Sequence, residues 1–382
     1  MESRKQKEDL ASESGEEVQV DIFNTQGFKP DKKRLLAAFK GEKMDKVPLF
    51  EHFIDDKIVE KIIGRNAGNT CAAVGDPYKC DERSSAHGDM IIPMHPEDFI
   101  QVCNSICQDS LMVVACYTPF RKLNREGRPE IITDGSVKSR KDWKEVILPS
   151  DDDVRDRMEY LKAYKEAAKN TGLAITLQAG NMFVPFYRSL SGNDFFRLVY
   201  DDPVLIEEIL DAEVDYFFKI IKEGLKIGFD VLMSGDDLAH KHGMMINPDI
   251  LKKWYIPRAQ KFYEPALNAG IPIIFDCDGN PEKIMDMIIG LGCSALFPID
   301  ANGLDYRAVK KKYGNRISLY GGIDTDIIIR GTSEETEKYV KDVVLTMKAN
   351  GRYIAGTISD VNQMPFENFI TMINTVHRYG IY

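Results

Sequence analysis

The chain has 382 residues, of which 43% are hydrophobic, and a chain of this size can bury a large core. Its formal net charge of −10 argues against nucleic acid as the main partner, because neutralising phosphates needs a surplus of lysine and arginine. No apolar run reaches the roughly 18 residues of a membrane span, and the acidic residues 1–20 lack the apolar core of a signal peptide. We therefore expect a cytoplasmic protein whose seven cysteines, an odd number without a CxxC pair, are reduced thiols.

Apolar segments rich in β-branched residues recur along the chain and predict eight strands. Near-continuous apolar strands are typical of parallel sheets that are covered on both faces. The segments are residues 47–52, 111–117, 173–180, 230–237, 271–278, 295–300, 317–324 and 352–360.

Helical patterns separate these strands, and several begin with proline and end with glycine, as helices do. The alternation predicts a closed (β/α)₈ TIM barrel in a single domain over residues 31–382. A doubly wound open sheet is the alternative, although no GxGxxG motif follows a strand. Residues 1–30 are expected to form a flexible N-terminal extension, and residues 127–148 a β-hairpin inserted after strand two.

The active site of such a barrel lies at the C-terminal ends of its strands. The polar side chains there are candidates for substrate binding, and two aromatic side chains could line a pocket or belong to the core. Helix capping is the alternative role for the aspartates. These candidates are Glu51, His52, Tyr117, Gln178, Asn181, Phe186, Tyr187, Asn280 and Asp324.

Four further residues are predicted to carry the chemistry: Asp237, His240, Asp278 and Asp300. The three acids end strands four, five and six, which are neighbours in a barrel, and His240 lies close to them in the chain. They could bind a catalytic zinc ion at a site with an open position. Alternatively, crowding of carboxylates raises the pKa of one of them, which then donates a proton. Cys277, between two aspartates, is expected to point away and pack.

A series of motifs, in order from about residue 30 to the C-terminus, resembles the uroporphyrinogen-decarboxylase-like superfamily. The resemblance implies a barrel whose members are either uroporphyrinogen decarboxylases or methyltransferases that work with corrinoid proteins. The motifs are Val47-Pro48, Gly-Asp-Asp-Leu-Ala, Ile-Asn-Pro-Asp, Phe-Asp-Cys-Asp-Gly-Asn, Ala-Leu-Phe-Pro-Ile-Asp, Lys-Lys-Tyr-Gly, Gly-Gly-Ile-Asp and Pro365-Phe-Glu-Asn368.

The decarboxylase signature of that superfamily is missing. It places arginines after strand one, where they grip the substrate's carboxylates bidentately. Here Pro48 is followed by an acidic segment, and no arginine occurs between Pro48 and Arg65. Ile358 stands at about the position of a decarboxylase histidine.

The methyltransferases that activate a thiol carry a zinc-binding His-x-Cys on strand five and a cysteine on strand eight. Here strand five reads Asp276-Cys277-Asp278 and strand eight has no cysteine. The resemblance therefore implies a demethylating member, similar to the methyltransferase I component of O-demethylases. Such a protein passes a methyl group from a small substrate, for example an aryl methyl ether, to the cobalt of a partner corrinoid protein. A decarboxylase and a non-enzymatic small-molecule-binding barrel are the alternatives, and the sequence predicts neither the methyl donor nor the oligomeric state.

Overall fold

A computed structural model describes residues 22–70, 83–84, 90–91, 94–116, 118–132, 134–359 and 363–382. Within these residues, seven parallel strands form one curled sheet, in which each strand pairs with the next along the chain. The sequence predicted this parallel order for strands two to eight, and it is confirmed. The strands are Ser110–Val114, Ala174–Gln178, Val231–Gly235, Ile273–Asp276, Ala295–Phe297, Ser318–Tyr320 and Tyr353–Ile354.

The predicted first strand is a short extended segment that forms backbone hydrogen bonds beside both edge strands of this sheet. Leu49 forms one parallel bridge with Ala355, and its carbonyl accepts a hydrogen bond from the Asp109 N–H at 2.9 Å. The segment lacks a longer ladder because Pro48 has no N–H to donate and the Leu49 and Glu51 N–H groups bind the side chains of Asp109 and Gln108. Seven paired strands, rather than the predicted eight, are therefore shown.

Helices follow most of the strands and pack on the outer face of the sheet, as the sequence predicted. Capping explains several of their starts: Ser150 and Thr332 each form a capping box, and prolines stand in the first turns of three helices. The helices are Lys32–Lys40, Asp56–Ile63, Pro96–Ile106, Arg140–Trp143, Asp151–Ala167, Phe183–Pro185, Asp194–Asp201, Pro203–Ile227, Pro248–Asn268, Met285–Gly290, Tyr306–Tyr313, Thr325–Arg330, Ser333–Met347 and Phe366–Tyr379, with a π-helix at Phe186–Leu190 and a 3₁₀-helix at Glu282–Ile284.

The helix Lys32–Lys40 closes the end of the sheet where the strands begin. Leu35, Ala38 and Phe39 belong to the same buried cluster as the inward-facing side chains of the strands. Ser318 and Arg352, at two strand starts, donate hydrogen bonds to carbonyl groups of this helix. The opposite end, where the strands finish, is therefore the end that can hold a site.

Short antiparallel strand pairs lie outside the seven-stranded sheet. One joins Arg121–Leu123 to Pro129–Ile131, and Ile147 bridges to Arg121, so this hairpin begins earlier than the predicted residues 127–148. Others join Arg83–Ser84 to Met90–Ile91 and Ala239–His240 to Gly243–Met244.

The predicted N-terminal extension falls mostly outside the described residues, which begin at residue 22. Phe23 is buried and packs edge-on against Phe366 and Phe369 of the last helix. Among the described residues, no helix is long and apolar enough to cross a membrane.

Candidate functional site

The C-terminal ends of the strands are rich in carboxyl groups. Glu51, Asp237, Asp278, Asp300 and Asp324 all follow strands or the extended first segment, and Asp276 ends a strand. Asp276 shares the inward face of its strand with Ile274, which belongs to the interior cluster. The sequence places no lysine or arginine within five residues after any of these strand ends.

Glu51 lies at the edge where the first segment meets the last strand. It is buried, and its Oε2 accepts hydrogen bonds from the backbone N–H of Thr357 at 3.1 Å and from Oγ1 of Thr357 at 2.6 Å. Its Oε1 is buried and has no hydrogen-bond partner among the described residues. Burial raises the pKa of Glu51 to about 7, although the bonds from Thr357 oppose the shift. Glu51 can therefore hold a proton near neutral pH and release it.

A cluster of aromatic side chains lies beside Glu51. The Tyr320 ring stacks on Phe50 at 5.4 Å between centroids and lies 4.3 Å from Phe297. His52 packs edge-on against Phe297 at 4.8 Å. Burial raises the pKa of Tyr320 well above its usual value, and the charges of Glu51 and Asp276 add to the shift. Tyr320 thus lies within electrostatic range of both carboxyl groups.

The loops that carry the four predicted catalytic residues meet through backbone hydrogen bonds. The carboxylate of Asp237 accepts from the Asp278 N–H at 3.4 Å, and that of Asp300 accepts from the Gly279 N–H at 3.0 Å. The Asn280 N–H donates to the His240 carbonyl at 3.1 Å. Residues 278–280 therefore lie between the other two loops.

Gly279 makes this approach possible. Its φ is +79°, and a Cβ built there would lie 2.4 Å from the His240 carbonyl carbon. Any other residue would push the two loops apart.

These four residues do not form a metal centre in the structure. Among the described residues, no group of three or more His, Cys, Asp or Glu could hold a metal ion. Asp300 uses its second oxygen to accept from the Asn302 N–H, and His240 uses Nδ1 to accept from the His242 N–H. The residues as placed therefore do not fit a resident zinc ion, and zinc binding stays a prediction for metal analysis of wild type, Asp278→Ala and His240→Ala.

Asp236 anchors the loop that follows the strand Ala174–Gln178. Its carboxyl group accepts hydrogen bonds from the N–H groups of Met182, Phe183 and Val184, each at 2.8 Å. Burial raises the pKa of Asp236 to about 8 against the opposing effect of these donors. Asp236 thus binds the start of a helix more than 50 residues earlier in the chain, a link that no short-range sequence pattern reveals.

Asp236 fixes the start of a chain segment that includes several candidate residues. Gly180, at φ +100°, brings the backbone against Ser234, whose Oγ would lie 2.5 Å from an added Cβ. The Oδ1 of Asn181 is buried without a hydrogen-bond partner among the described residues. Tyr187, in the π-helix, donates to the Asp237 carbonyl at 3.3 Å. π-Helical turns occur often at functional sites.

Other candidates lie in the core, at the start of a helix or at the end of a strand. Phe186 is buried in the outer core, 4.9 Å from the Phe195 ring, and is therefore placed as a core residue. Asp324 caps the helix Thr325–Arg330 by accepting from the Asp326 N–H. Gln178 ends its strand beside Met233. Tyr117 lies outside the described residues.

Two further ionisable side chains near the site, Glu213 and Cys277, are buried. Glu213, on the helix Pro203–Ile227, accepts a hydrogen bond from the Thr118 hydroxyl, and its Oε1 has no partner among the described residues. Burial raises its pKa well above the usual value, and the charge of Asp236 adds to the shift. Cys277 is buried in the outer core, as predicted, and burial raises the pKa of its thiol.

The model of the family described as uroporphyrinogen decarboxylase (URO-D) matches residues 134–379, which is more than half of the chain. The chain belongs to the URO-D family. No curated protein matches it in sequence.

Solved structures resemble this URO-D family member to different degrees. A methyltransferase from Methanosarcina mazei superposes with a TM-score of 0.65 at 17% identity, over 92% of this chain and 99% of that one. A B12-independent methionine synthase from Shewanella sp. W3-18-1 gives a TM-score of 0.42 at 11% identity, over 58% of this chain and 65% of that one. The first likeness shows that the fold spans the full length of that methyltransferase.

Proposed function

We propose that the chain transfers a methyl group from a small methylated compound, such as an aryl methyl ether, to the cobalt of a corrinoid carried by a partner protein. The observation that carries this proposal is Glu51, a buried carboxyl group whose pKa is raised to about 7 and whose Oε1 has no partner among the described residues. The fold it shares with the Methanosarcina mazei methyltransferase agrees with the proposal.

Glu51 supplies what the bond cleavage needs. When the methyl carbon leaves, the bonding electrons remain on the oxygen of the donor, and protonation stabilises that charge. The corrinoid cobalt accepts the methyl group and is a substrate brought by the other protein. Glu51 gives its proton to the departing oxygen and is left as a carboxylate, which Thr357 stabilises with two hydrogen bonds. His52 also favours that charged form.

Decarboxylation is the second candidate, because the family description names it. A porphyrinogen that carries several carboxylates needs arginine or lysine around it. The strand ends are instead acidic, and Ile358, at about the position of a decarboxylase histidine, is buried. These charges favour methyl transfer over decarboxylation.

The test is incubation with a reduced corrinoid protein and a panel of methylated donors. We expect the absorbance of methylated cobalt to appear with wild type and to be strongly reduced in Glu51→Gln. Glu166→Gln is the matched control, since Glu166 is exposed and lies near the C-terminal end of the helix Asp151–Ala167, at the opposite end of the sheet. Formation of coproporphyrinogen without cobalt methylation would favour the decarboxylase, and neither activity would favour a binding protein.

A further inference from the structure

Two N–H groups of the first extended segment bind side chains instead of a neighbouring strand. The Glu51 N–H donates to Oε1 of Gln108 at 2.8 Å, and the Leu49 N–H donates to Oδ2 of Asp109 at 3.1 Å. Both acceptors immediately precede the strand Ser110–Val114, and both are fully buried. Gln108 therefore does for Glu51 what a strand carbonyl does in a regular ladder.

The orientation of the Gln108 amide is fixed by its two partners. Its Nε2 donates to the Ser110 carbonyl at 2.6 Å, while its Oε1 accepts from the Glu51 N–H. A backbone N–H can only donate and a carbonyl can only accept. Exchanging the oxygen and the nitrogen of the amide would therefore oppose like groups at both ends. The glutamine side chain is held in one orientation, with its oxygen towards Glu51.

Gln108 and Thr357 hold different parts of Glu51. Gln108 binds the main chain, whereas Thr357 binds Oε2 of the carboxyl group with its N–H and its hydroxyl group. The preceding carbonyl, of Phe50, is also held, because it accepts from the Tyr320 hydroxyl group at 2.8 Å. Oε1 of Glu51 has no hydrogen-bond partner among the described residues, so its position depends on these contacts to the rest of the residue.

We propose that Gln108 is a positioning residue for Glu51, and that its amide sets where the unpartnered carboxyl oxygen meets the methyl donor. Gln108 acts through the backbone of Glu51 and does not need to touch the donor. Such placement matters because an error of about 1 Å in the position of a reacting group can cost a factor of about 10² in rate. The inference rests on the proposed function, since it concerns the acid of that reaction.

Gln108→Met and Gln108→Glu separate positioning from packing. Methionine has nearly the same size as glutamine but offers no acceptor to the Glu51 N–H. Glutamate keeps that acceptor, and at about pH 6 a buried glutamate stays protonated and can also donate to the Ser110 carbonyl. We expect Gln108→Met to lower kcat for methyl transfer by about 10²-fold with an unchanged KM for the donor. Gln108→Glu should restore most of that loss, and no restoration would overturn the inference.

Asn368→Leu is the matched control, because Asn368 is also a buried amide. Its Nδ2 donates to the carbonyls of Ile328 and Gly331, each at 2.8 Å, and none of these groups bonds to Glu51. Urea unfolding should show that Asn368→Leu and Gln108→Met lose similar stability, since each loses two buried hydrogen bonds. Only Gln108→Met should lower kcat. An equal fall of kcat in both variants would mean that Gln108 acts through stability alone, and would overturn the inference.

Infrared titration tests the inference without any corrinoid protein. The band of a protonated carboxyl group that is missing from Glu51→Gln belongs to Glu51, and in wild type it should disappear around pH 7, the value to which burial raises the pKa of Glu51. In Gln108→Met we expect this midpoint to fall by at least about half a unit, because a displaced carboxyl group is better hydrated. It should not move in Asn368→Leu. An unmoved midpoint in Gln108→Met would overturn the inference.

The outcomes distinguish the two proposals. A shifted midpoint in Gln108→Met, without methyl transfer by wild type, supports the placement of Glu51 by Gln108 and removes the proposed methyl transfer. Methyl transfer that Gln108→Met leaves unchanged does the reverse. The substitutions keep the other titratable side chains whose charges act together with that of Glu51, which are His52, Tyr320 and Tyr353.

Discussion

Thr357 donates two hydrogen bonds to the same oxygen of Glu51, one from its backbone and one from its hydroxyl group, at 3.1 and 2.6 Å. The pair links the first extended segment to the end of the last strand, so the position of the carboxyl group is set by both edges of the sheet. Because one oxygen takes both bonds, the other is left with no partner among the described residues. This asymmetry leaves Oε1 as the atom that can carry the proton.

Glu51→Gln is expected to lower the rate of methyl transfer by about 10²–10⁴, the usual contribution of a general acid. In wild type the rate should fall as pH rises through about 7, because burial raises the pKa of Glu51 to that value and the acid form is lost above it. This fall should be missing from the pH profile of the variant. An unchanged rate and profile would remove Glu51 from the mechanism.

Stability measurements check that the same variant folds and that the pKa is raised. In the unfolded chain Glu51 ionises near its usual pKa of 4.5, whereas in the folded chain burial raises its pKa to about 7. Glu51 therefore lowers the stability of wild type progressively as pH rises from 4.5 to 7, and Glu51→Gln lacks this contribution. Urea titrations at several pH values give the unfolding free energies of both proteins. Relative to wild type, the variant should become more stable as pH rises from 4.5 to 7.

Thr357→Val should move the pH profile in the other direction. The hydroxyl group of Thr357 stabilises the charged form of Glu51, so its removal raises the pKa further, by about half to one unit. The descending limb of the rate profile should shift to higher pH by that amount. Thr357→Ser keeps the hydroxyl group and serves as the control with an unshifted profile. A shift to lower pH in Thr357→Val would contradict this role.

The sequence predicted the strands of the sheet well because the apolar run that indicates a strand is a local pattern. Predicted strand 271–278 contains the observed Ile273–Asp276, and the apolar run alone indicates that strand. The first strand differed because the N–H groups of Leu49 and Glu51 bind the side chains of Asp109 and Gln108. A pattern of apolar residues does not reveal which partner a backbone group has. The prediction that the ends of strands four, five and six lie together depended on the strand order. The structure confirms that order.

The buried polar groups were harder to predict. Asp236 binds N–H groups 52–54 residues away in the chain, and no short-range pattern links these positions. Glu213 did leave a signal that was missed. It occupies the buried face of its helix, in step with Ile209, Leu210 and Phe217, where an acid is costly unless it is protonated or paired.

Above about pH 8, where Asp236 is ionised, Asp236→Asn should destabilise the protein by about 1–3 kcal/mol, because an amide offers one acceptor oxygen where the carboxylate offers two. Hydrogen exchange should increase across residues 182–190, which depend on this anchor. Asp237→Asn, at the next position in the chain, is the comparison. Asp237 is half-buried and accepts the Asp278 N–H at 3.4 Å, so its substitution should cost less than that of the fully buried Asp236. Equal urea midpoints for the two variants would show that the three N–H groups find other acceptors.

Glu213→Gln should be tolerated within about 1 kcal/mol, whereas Glu213→Ala should cost about 2–4 kcal/mol through a cavity and a lost hydrogen bond. Burial raises the pKa of Glu213 well above its usual value and so favours the uncharged side chain, which an amide should replace closely. The Gln variant keeps an acceptor for the Thr118 hydroxyl group. Strong destabilisation by both variants would indicate that Glu213 is charged in the folded protein.

Asp109→Asn should be the most destabilising of these substitutions, at about 3–5 kcal/mol, because it leaves a buried arginine without its buried partner. Arg34 bonds Asp109 at 2.6 Å, and both side chains are almost fully buried. Asp109 also accepts from the N–H groups of Asp31 and Leu49, so it ties the first helix to the edge of the sheet.

Asp45→Asn is the matched control for that substitution. Asp45 pairs with the other side of the same Arg34 guanidinium, at 2.7 Å, but its side chain is 50% exposed, so its loss should cost about 1 kcal/mol or less. Urea unfolding of both variants gives the comparison directly. Similar losses would mean that the guanidinium is stabilised equally from both sides, and that burial of Asp109 adds nothing to the pair.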